Sequence, residues 1–149
     1  LAQVLDCWLV GISTLEALAE NVNVVANGFG RICAVVDAKR QDVYAALYET
    51  RGDKLIEQGN HKVINIKTLC EELRNSRNKT LFVGSGALLY KKTITEILGE
   101  AGGIASEEFT RICGSSVAKI ALRSSQDYLK GKQSFGLAPM YLREASTHT

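Results

Sequence analysis

A chain of 149 residues, with 46% apolar and 23% charged positions, has the length of one domain and the composition of a folded globular protein, which excludes global disorder. One proline against 13 glycines excludes proline-rich and collagen-like segments, and 18 basic against 16 acidic residues leave a net charge of +2 that neither demands nor forbids a nucleic-acid partner. No apolar run reaches the roughly 20 residues of a membrane span, and the four cysteines, Cys7, Cys33, Cys70 and Cys113, form no C-x-x-C pair, so reduced thiols are expected in place of a zinc site or a disulfide framework.

In chain order, Leu1 to Leu5 has the pattern of the last turns of a helix, and Leu9-Val10-Gly11-Ile12 that of a short strand. Ser13 followed by Glu16 has capping-box spacing, which predicts a helix to about Asn21 with Leu15, Leu18 and Ala19 buried. After a loop from Asn21 to Gly30, Ile32 to Asp37 is an apolar strand. The polar connection Ala38 to Asp42 leads to a second strand, Val43 to Thr50. Arg51-Gly52-Asp53 is a turn signal before a third strand, Lys54 to Ile64, bent near Gly59, so the three strands form an antiparallel meander.

The period then becomes helical. Ile66, Leu69, Cys70 and Leu73 form one stripe of a helix running out near Asn78. Leu81-Phe82-Val83 is a compact strand broken by Gly84-Ser85-Gly86, and one helix then carries Ala87, Tyr90, Ile94, Ile97 and Leu98 on its buried face up to Gly99. Glu100 to Gly103 reads as loop. Ser115 to Lys130 is the longest predicted helix, with Gly131 as its C′ residue. Pro139 to Arg143 is extended and Ser146 to Thr149 a frayed tail. The sum is an α/β layer fold with a mixed sheet.

Nucleophilic catalysis needs a base beside a Ser or Cys, and the two histidines, His61 within the third predicted strand and His148 near the end, have no context that positions one. No H-E-x-x-H or acidic ligand cluster accompanies either histidine. The Val83-Gly84-Ser85-Gly86-Ala87 junction places glycines where a strand enters a helix. That pattern serves either an anion-binding turn at Gly84 and Gly86 or simply a tight turn requiring glycine torsions. Asp37-Ala38-Lys39-Arg40-Gln41-Asp42-Val43-Tyr44 is the densest polar constellation. It is either a solvated hairpin in which Arg40 pairs with Asp37 or Asp42, or a recognition loop built on Asp37, Lys39, Arg40 and Tyr44.

Four blocks, Val10 to Ala19, Val36 to Tyr48, Val83 to Ala87 and Ala138 to Arg143, resemble in order and spacing the TsaB (YeaZ) family. The resemblance implies a ribonuclease-H-like lobe of the actin-like ATPase architecture, with a mixed sheet, a three-strand antiparallel meander and flanking helices. It also implies a non-catalytic, bacterial scaffold subunit in the formation of threonylcarbamoyladenosine on tRNAs that read codons starting with A. Its implied partners are the catalytic subunit TsaD and TsaE, with tRNA reached indirectly, no membrane and a cytoplasmic location. The histidine motif that binds metal in TsaD is missing, which speaks against the older glycoprotease label.

The family's Ile-Asp-Thr-like first strand and its Gly-Pro-Gly-Ser-Phe-Thr-Gly-type segment are not found here. Residues 1–149 are therefore expected to be a single C-terminal lobe, with 1–8 the remnant of an inter-lobe helix and 144–149 a tail. Homodimer or heterodimer formation is expected through the N-terminal lobe. No catalytic residue, metal or cofactor is expected within this lobe, and ATP or ADP only at the level of the full complex. Two other readings stand beside this one: the nucleotide-binding half of an actin-like kinase, drawing on Gly84 and Gly86, and an RNA-contacting structural domain, drawing on Lys39, Arg40, Lys91 and Lys92.

Overall fold

The computed structural model describes residues 11–129, with side chains described through Ser124. The expectations for residues 1–10, including Cys7 and most of the first predicted strand, and for residues 130–149, including His148, lie outside the described residues.

Helix α1, Thr14–Asn23, starts where the sequence predicts, because the Ser13 hydroxyl accepts the Leu15 N–H at 3.2 Å and satisfies one of the free donors of the first turn. Strands β1 (Arg31–Asp37) and β2 (Asp42–Arg51) form an antiparallel pair running from Arg31 opposite Glu49 to Asp37 opposite Val43. The third predicted strand is in fact two, β3 (Lys54–Glu57) and β4 (Lys62–Asn65), both antiparallel to β2. The ladder is broken between them at Gln58 to His61, where Gly59 takes a φ of +76° that an ordinary strand cannot accommodate. His61 therefore sits in the break, not in a strand.

Helix α2 (Ile66–Arg74) is capped by Asn65 and ends earlier than predicted. The chain then enters β5 (Thr80–Val83), which lies parallel to β1. The single helix expected after Gly86 is two, α3 (Ser85–Leu89) and α4 (Lys91–Leu98), separated at Tyr90. A second correction concerns Glu100 to Gly103. A 3-10 turn (Gly99–Ala101) leads into β6 (Gly102–Ile104), which pairs in parallel with β5. The strand escapes a hydrophobic pattern because its face is occupied by neighbours: a Cβ on Gly103 would lie 2.2 Å from the Phe29 ring, and one on Gly102 2.9 Å from Leu98 Cβ. A 3-10 turn at Glu107–Thr110 and helix α5 (Gly114–Leu129) complete the described chain.

The six-stranded sheet has the order β3-β2-β1-β5-β6, with β4 beside β3 on the outer edge of β2. Strand alternation divides the core. Ile32 and Ala34 of β1, Ala46 and Tyr48 of β2, and Leu81 and Val83 of β5 pack with Leu15, Leu18, Ala19 and Val22 of α1. Cys33, Val35, Val43, Ala45 and Phe82 face the other way, onto Ile66, Leu69, Cys70 and Leu73 of α2 and Ile94 and Leu98 of α4. Both Cys33 and Cys70 are buried free thiols, and burial pushes them up to about 12 and about 11, so they serve as small apolar residues. No helix among the described residues is long and apolar enough to cross a membrane.

Candidate functional site

The parallel strand β5 ends at Val83 opposite Ala34, β1 continues three residues further to Asp37, and the polar hairpin projects from that end of the sheet. Its tip has an unusual backbone. Lys39, Arg40 and Gln41 have φ values of +69°, +55° and +67°, three consecutive non-glycine residues in the left-handed region. Arg40 and Gln41 occupy the centre of a turn closed by the Asp42 N–H donating to the Lys39 carbonyl at 3.0 Å. Positive φ at both central positions matches the twist of the two strands, and Asn-Gly usually supplies it.

Neighbouring groups hold this conformation in place. Asp37 Oδ1 accepts from the Lys39 N–H at 3.1 Å and from the Tyr90 hydroxyl at 3.0 Å, while Oδ2 lies 3.4 Å from Lys39 Nζ. The Asp37 N–H donates to Ser85 Oγ at 3.3 Å, the Ala38 N–H to the Asp42 carbonyl at 2.9 Å, and the Ile66 N–H to the Gln41 carbonyl at 2.9 Å. Burial works to raise the Asp37 carboxyl, but the Lys39 N–H, the Tyr90 hydroxyl and the Lys39 ammonium outweigh it and hold the group below the usual carboxylate range. Tyr90 moves the opposite way, raised first by desolvation and then by donating to Asp37.

The ion partner of Asp37 is thus Lys39, whereas the solvated-hairpin reading paired Arg40 with Asp37 or Asp42. Tyr44 does not join this group. It stands opposite Val36 and packs against the α1 face of the sheet, whereas Asp37 meets Tyr90 on the α2–α4 side. Gly84 and Gly86 do come to the tip's base, for a steric reason visible in the packing. A Cβ on Gly84 would lie 2.4 Å from the Val35 carbonyl oxygen, and one on Gly86 3.2 Å from the same atom. With φ of +109°, Gly84 also needs the freedom of glycine.

The sequence names Ser85 only as part of the glycine turn and Tyr90 only as part of a buried helical stripe; Tyr90 does pack against that core, and what the structure adds is the bond each makes to Asp37. The available signal is the Tyr90 hydroxyl, which needs a partner when the ring is partly buried. A second polar group occupies the α1 side. His61 Nε2 lies 3.1 Å from Glu57 and 3.4 Å from the Tyr48 hydroxyl, and the nearby Glu16 carboxyl is raised by burial first and by Glu57 next. His61 therefore meets a tyrosine and a carboxylate, not a serine or cysteine nucleophile. Among the described residues no three or more of His, Cys, Asp and Glu converge to hold a metal ion.

A family model described as TsaD: tRNA N6-adenosine threonylcarbamoyltransferase matches residues 1–143. The chain belongs to this family. It is also similar to the tRNA threonylcarbamoyladenosine biosynthesis protein TsaB of Bacillus subtilis (strain 168), at 29% identity over 150 residues, 97% of this chain and 60% of that protein. In fold it resembles the crystal structure of an uncharacterized protein with similarity to peptidase YEAZ from Pseudomonas aeruginosa, with a TM-score of 0.65 at 17% identity over 95% of this chain and 62% of that one. YeaZ from Pseudomonas aeruginosa gives a TM-score of 0.61 at 15% identity, over 85% of this chain and 57% of that one. The TsaB (YeaZ)-like resemblance expected from the sequence blocks is thereby borne out, and the mixed α/β fold is that of the YeaZ structures. The chain spans about 60% of the length of the relatives it matches.

Proposed function

We propose that this chain is the accessory part of an assembly that forms threonylcarbamoyladenosine on tRNA, and that it supports a separate catalytic subunit of the TsaD type without carrying out the chemistry itself. The observation that carries the reading is the match to TsaB across nearly the whole chain. The organisation of the hairpin supports the non-catalytic half of it. Asp37 has both oxygens engaged by Lys39 and Tyr90, so its charge is used to fix a backbone and not held ready for a substrate proton. We read residues 1–149 as a C-terminal lobe, and assign any nucleotide requirement, TsaE association and dimer formation to the full complex.

Reconstitution tests this directly. Modified nucleoside is measured by mass spectrometry of digested tRNA after incubation of the full-length protein, the catalytic subunit, or both with tRNA and the threonylcarbamoyl donor. Product with the two together, and none with this protein alone, is the expected result. Product formed by this protein alone, or a catalytic subunit indifferent to its presence, would overturn the reading.

A further inference from the structure

We propose that the edge formed by the β1–β2 tip and the first turns of α2 and α4 is a contact surface for the phosphate backbone of RNA, with Lys39, Arg40, Lys67, Lys91 and Lys92 as its cations. The inference rests on the reading above and adds the place where the assembly's RNA meets this chain.

Hydrogen bonds bring these cations to one edge from three elements. Lys39 and Arg40 are the tip itself. The Tyr90 hydroxyl donates to Asp37, so Lys91 and Lys92, which follow Tyr90, open α4 beside the tip. The Gln41 carbonyl accepts the Ile66 N–H, so Lys67, next along α2, stands at the tip's other flank. All five side chains belong to exposed residues, the Lys39 side chain being 86% exposed. The carboxylates near this edge include Asp37, which is already engaged, Asp42, which has interactions of its own, Glu96, which lies 3.9 Å from Lys92, and exposed Glu71, one turn after Lys67 on α2.

Elsewhere four of the basic side chains are committed to partners within the fold. Arg123 lies on buried Glu20 at 3.0 Å, Lys62 on Glu72 at 2.6 Å, Arg51 on Glu49 at 3.3 Å, and Arg31 donates to the Asn78 carbonyl at 2.8 Å. Among the described residues, Arg40, Lys67 and Lys91 have no carboxylate within ion-pair range. Arg74, Arg77, Lys79, Lys54, Arg111 and Lys119 are also unpaired by that criterion; Arg74, Arg77 and Lys79 cluster towards the opposite end of the sheet, where β5 begins, while Lys54 on β3, Arg111 after the second 3-10 turn and Lys119 on α5 are scattered.

The backbone separates the two ends. At the tip, three residues with side chains occupy torsions that glycine would adopt with little strain, and seven hydrogen bonds or ion contacts fix them there. Such a segment fixes the backbone positions and directions from which its side chains leave before any partner arrives, which lowers the backbone entropy cost of binding. The cations are spread over three elements. A polynucleotide, with a charge at every nucleotide, meets several of them at once, where a small anion would meet one or two.

The test compares full-length wild-type protein with Lys39→Gln/Arg40→Gln/Lys67→Gln/Lys91→Gln, with the charge-keeping Lys39→Arg/Lys67→Arg/Lys91→Arg, and with Arg74→Gln/Arg77→Gln/Lys79→Gln at the opposite end. Each is titrated with tRNA at several salt concentrations, and each is assayed in the reconstituted complex for the tRNA KM. Neutralising the tip edge is expected to weaken tRNA binding about tenfold or more and to reduce the log–log salt slope by about one per contact removed. The arginine variant and the opposite-end variant should stay within about twofold of wild type. An unchanged salt slope in the tip variant, or an equal loss in the opposite-end variant, overturns the surface. A wild-type complex that forms no product overturns the functional reading instead, while the direct titration still decides the surface.

Discussion

Two hairpin tips built on the same strand solve the same problem in opposite ways. Between β2 and β3 the chain reverses through Gly52, whose φ of +63° is easily adopted without a Cβ, and the neighbouring Asp53 carbonyl accepts bonds from Asn23 at 2.8 Å and Arg123 at 3.3 Å. That turn is a structural anchor joining α1 and α5 to the sheet. Between β1 and β2 the chain reverses through Lys39, Arg40 and Gln41, each left-handed and none glycine. At roughly 1 kcal/mol or more for each such residue, this tip carries strain of about 3 kcal/mol that its neighbours must offset. Under the proposed RNA contact, the first tip serves what its side chains reach, while the second serves where its backbone goes.

The largest effect is expected underneath the first tip. Gly84→Ala would drive a Cβ to 2.4 Å from the Val35 carbonyl oxygen while imposing a φ of +109° on a residue that resists it. A loss of about 3 kcal/mol or more in denaturant unfolding is expected; a loss under about 1 kcal/mol would mean that β1 is not pressed against this turn. Gly52→Ala meets open space and suffers the torsion alone, so it should cost about 1 kcal/mol. A cost equal to that at Gly84 would remove the contrast between the two supports.

Arg40→Gly should have the opposite sign from Gly52→Ala. Relief of left-handed strain exceeds the added freedom of the unfolded chain, and unfolding should become harder by roughly 0.5 kcal/mol. If the variant is instead weaker by that amount, the tip is not strained in the way its torsions indicate.

The smallest effect concerns acid. The folded Asp37 carboxyl is held below its ordinary range, so its contribution to stability is complete above that range and fades as pH falls through the lowered value. Tyr90→Phe removes one of the bonds that lower it, so the variant should be less stable at neutral pH, with the gap from wild type narrowing as the solution becomes acidic. Thermal unfolding at a series of pH values checks this, and a gap independent of pH would show that Tyr90 acts by packing alone.

Much of this was legible in the residues, and the failures have physical causes. Ser13, the apolar runs at Ile32 and Val43, and the i, i+3, i+4 stripe from Ile66 are local signals, and α1, the β1–β2 pair and α2 follow them. Strand β6 was not legible, because Gly102 and Gly103 leave it no hydrophobic pattern: Gly102 lies against Leu98 at the end of the preceding helix, and Gly103 against the Phe29 ring, which arrives from a distant part of the chain. Gly59 was visible, but whether it bends or breaks a strand depends on whether β2 keeps a partner beside it. At the site, the motif marked Asp37, Lys39 and Arg40, while the bonds from Tyr90 and Ser85 span 53 and 48 residues and leave no local pattern. Tyr44 was grouped with Asp37 by proximity in sequence, and strand alternation put it across the sheet.

The most direct test replaces the tip's side chains while making its backbone easier to fold. In Lys39→Gly/Arg40→Gly, denaturant unfolding and tRNA affinity are measured on the same full-length protein. Stability equal to or above wild type together with a severalfold loss of tRNA affinity is the predicted result. A variant that binds tRNA as wild type does, at any stability, would contradict the claim that this hairpin is held strained for its charged side chains.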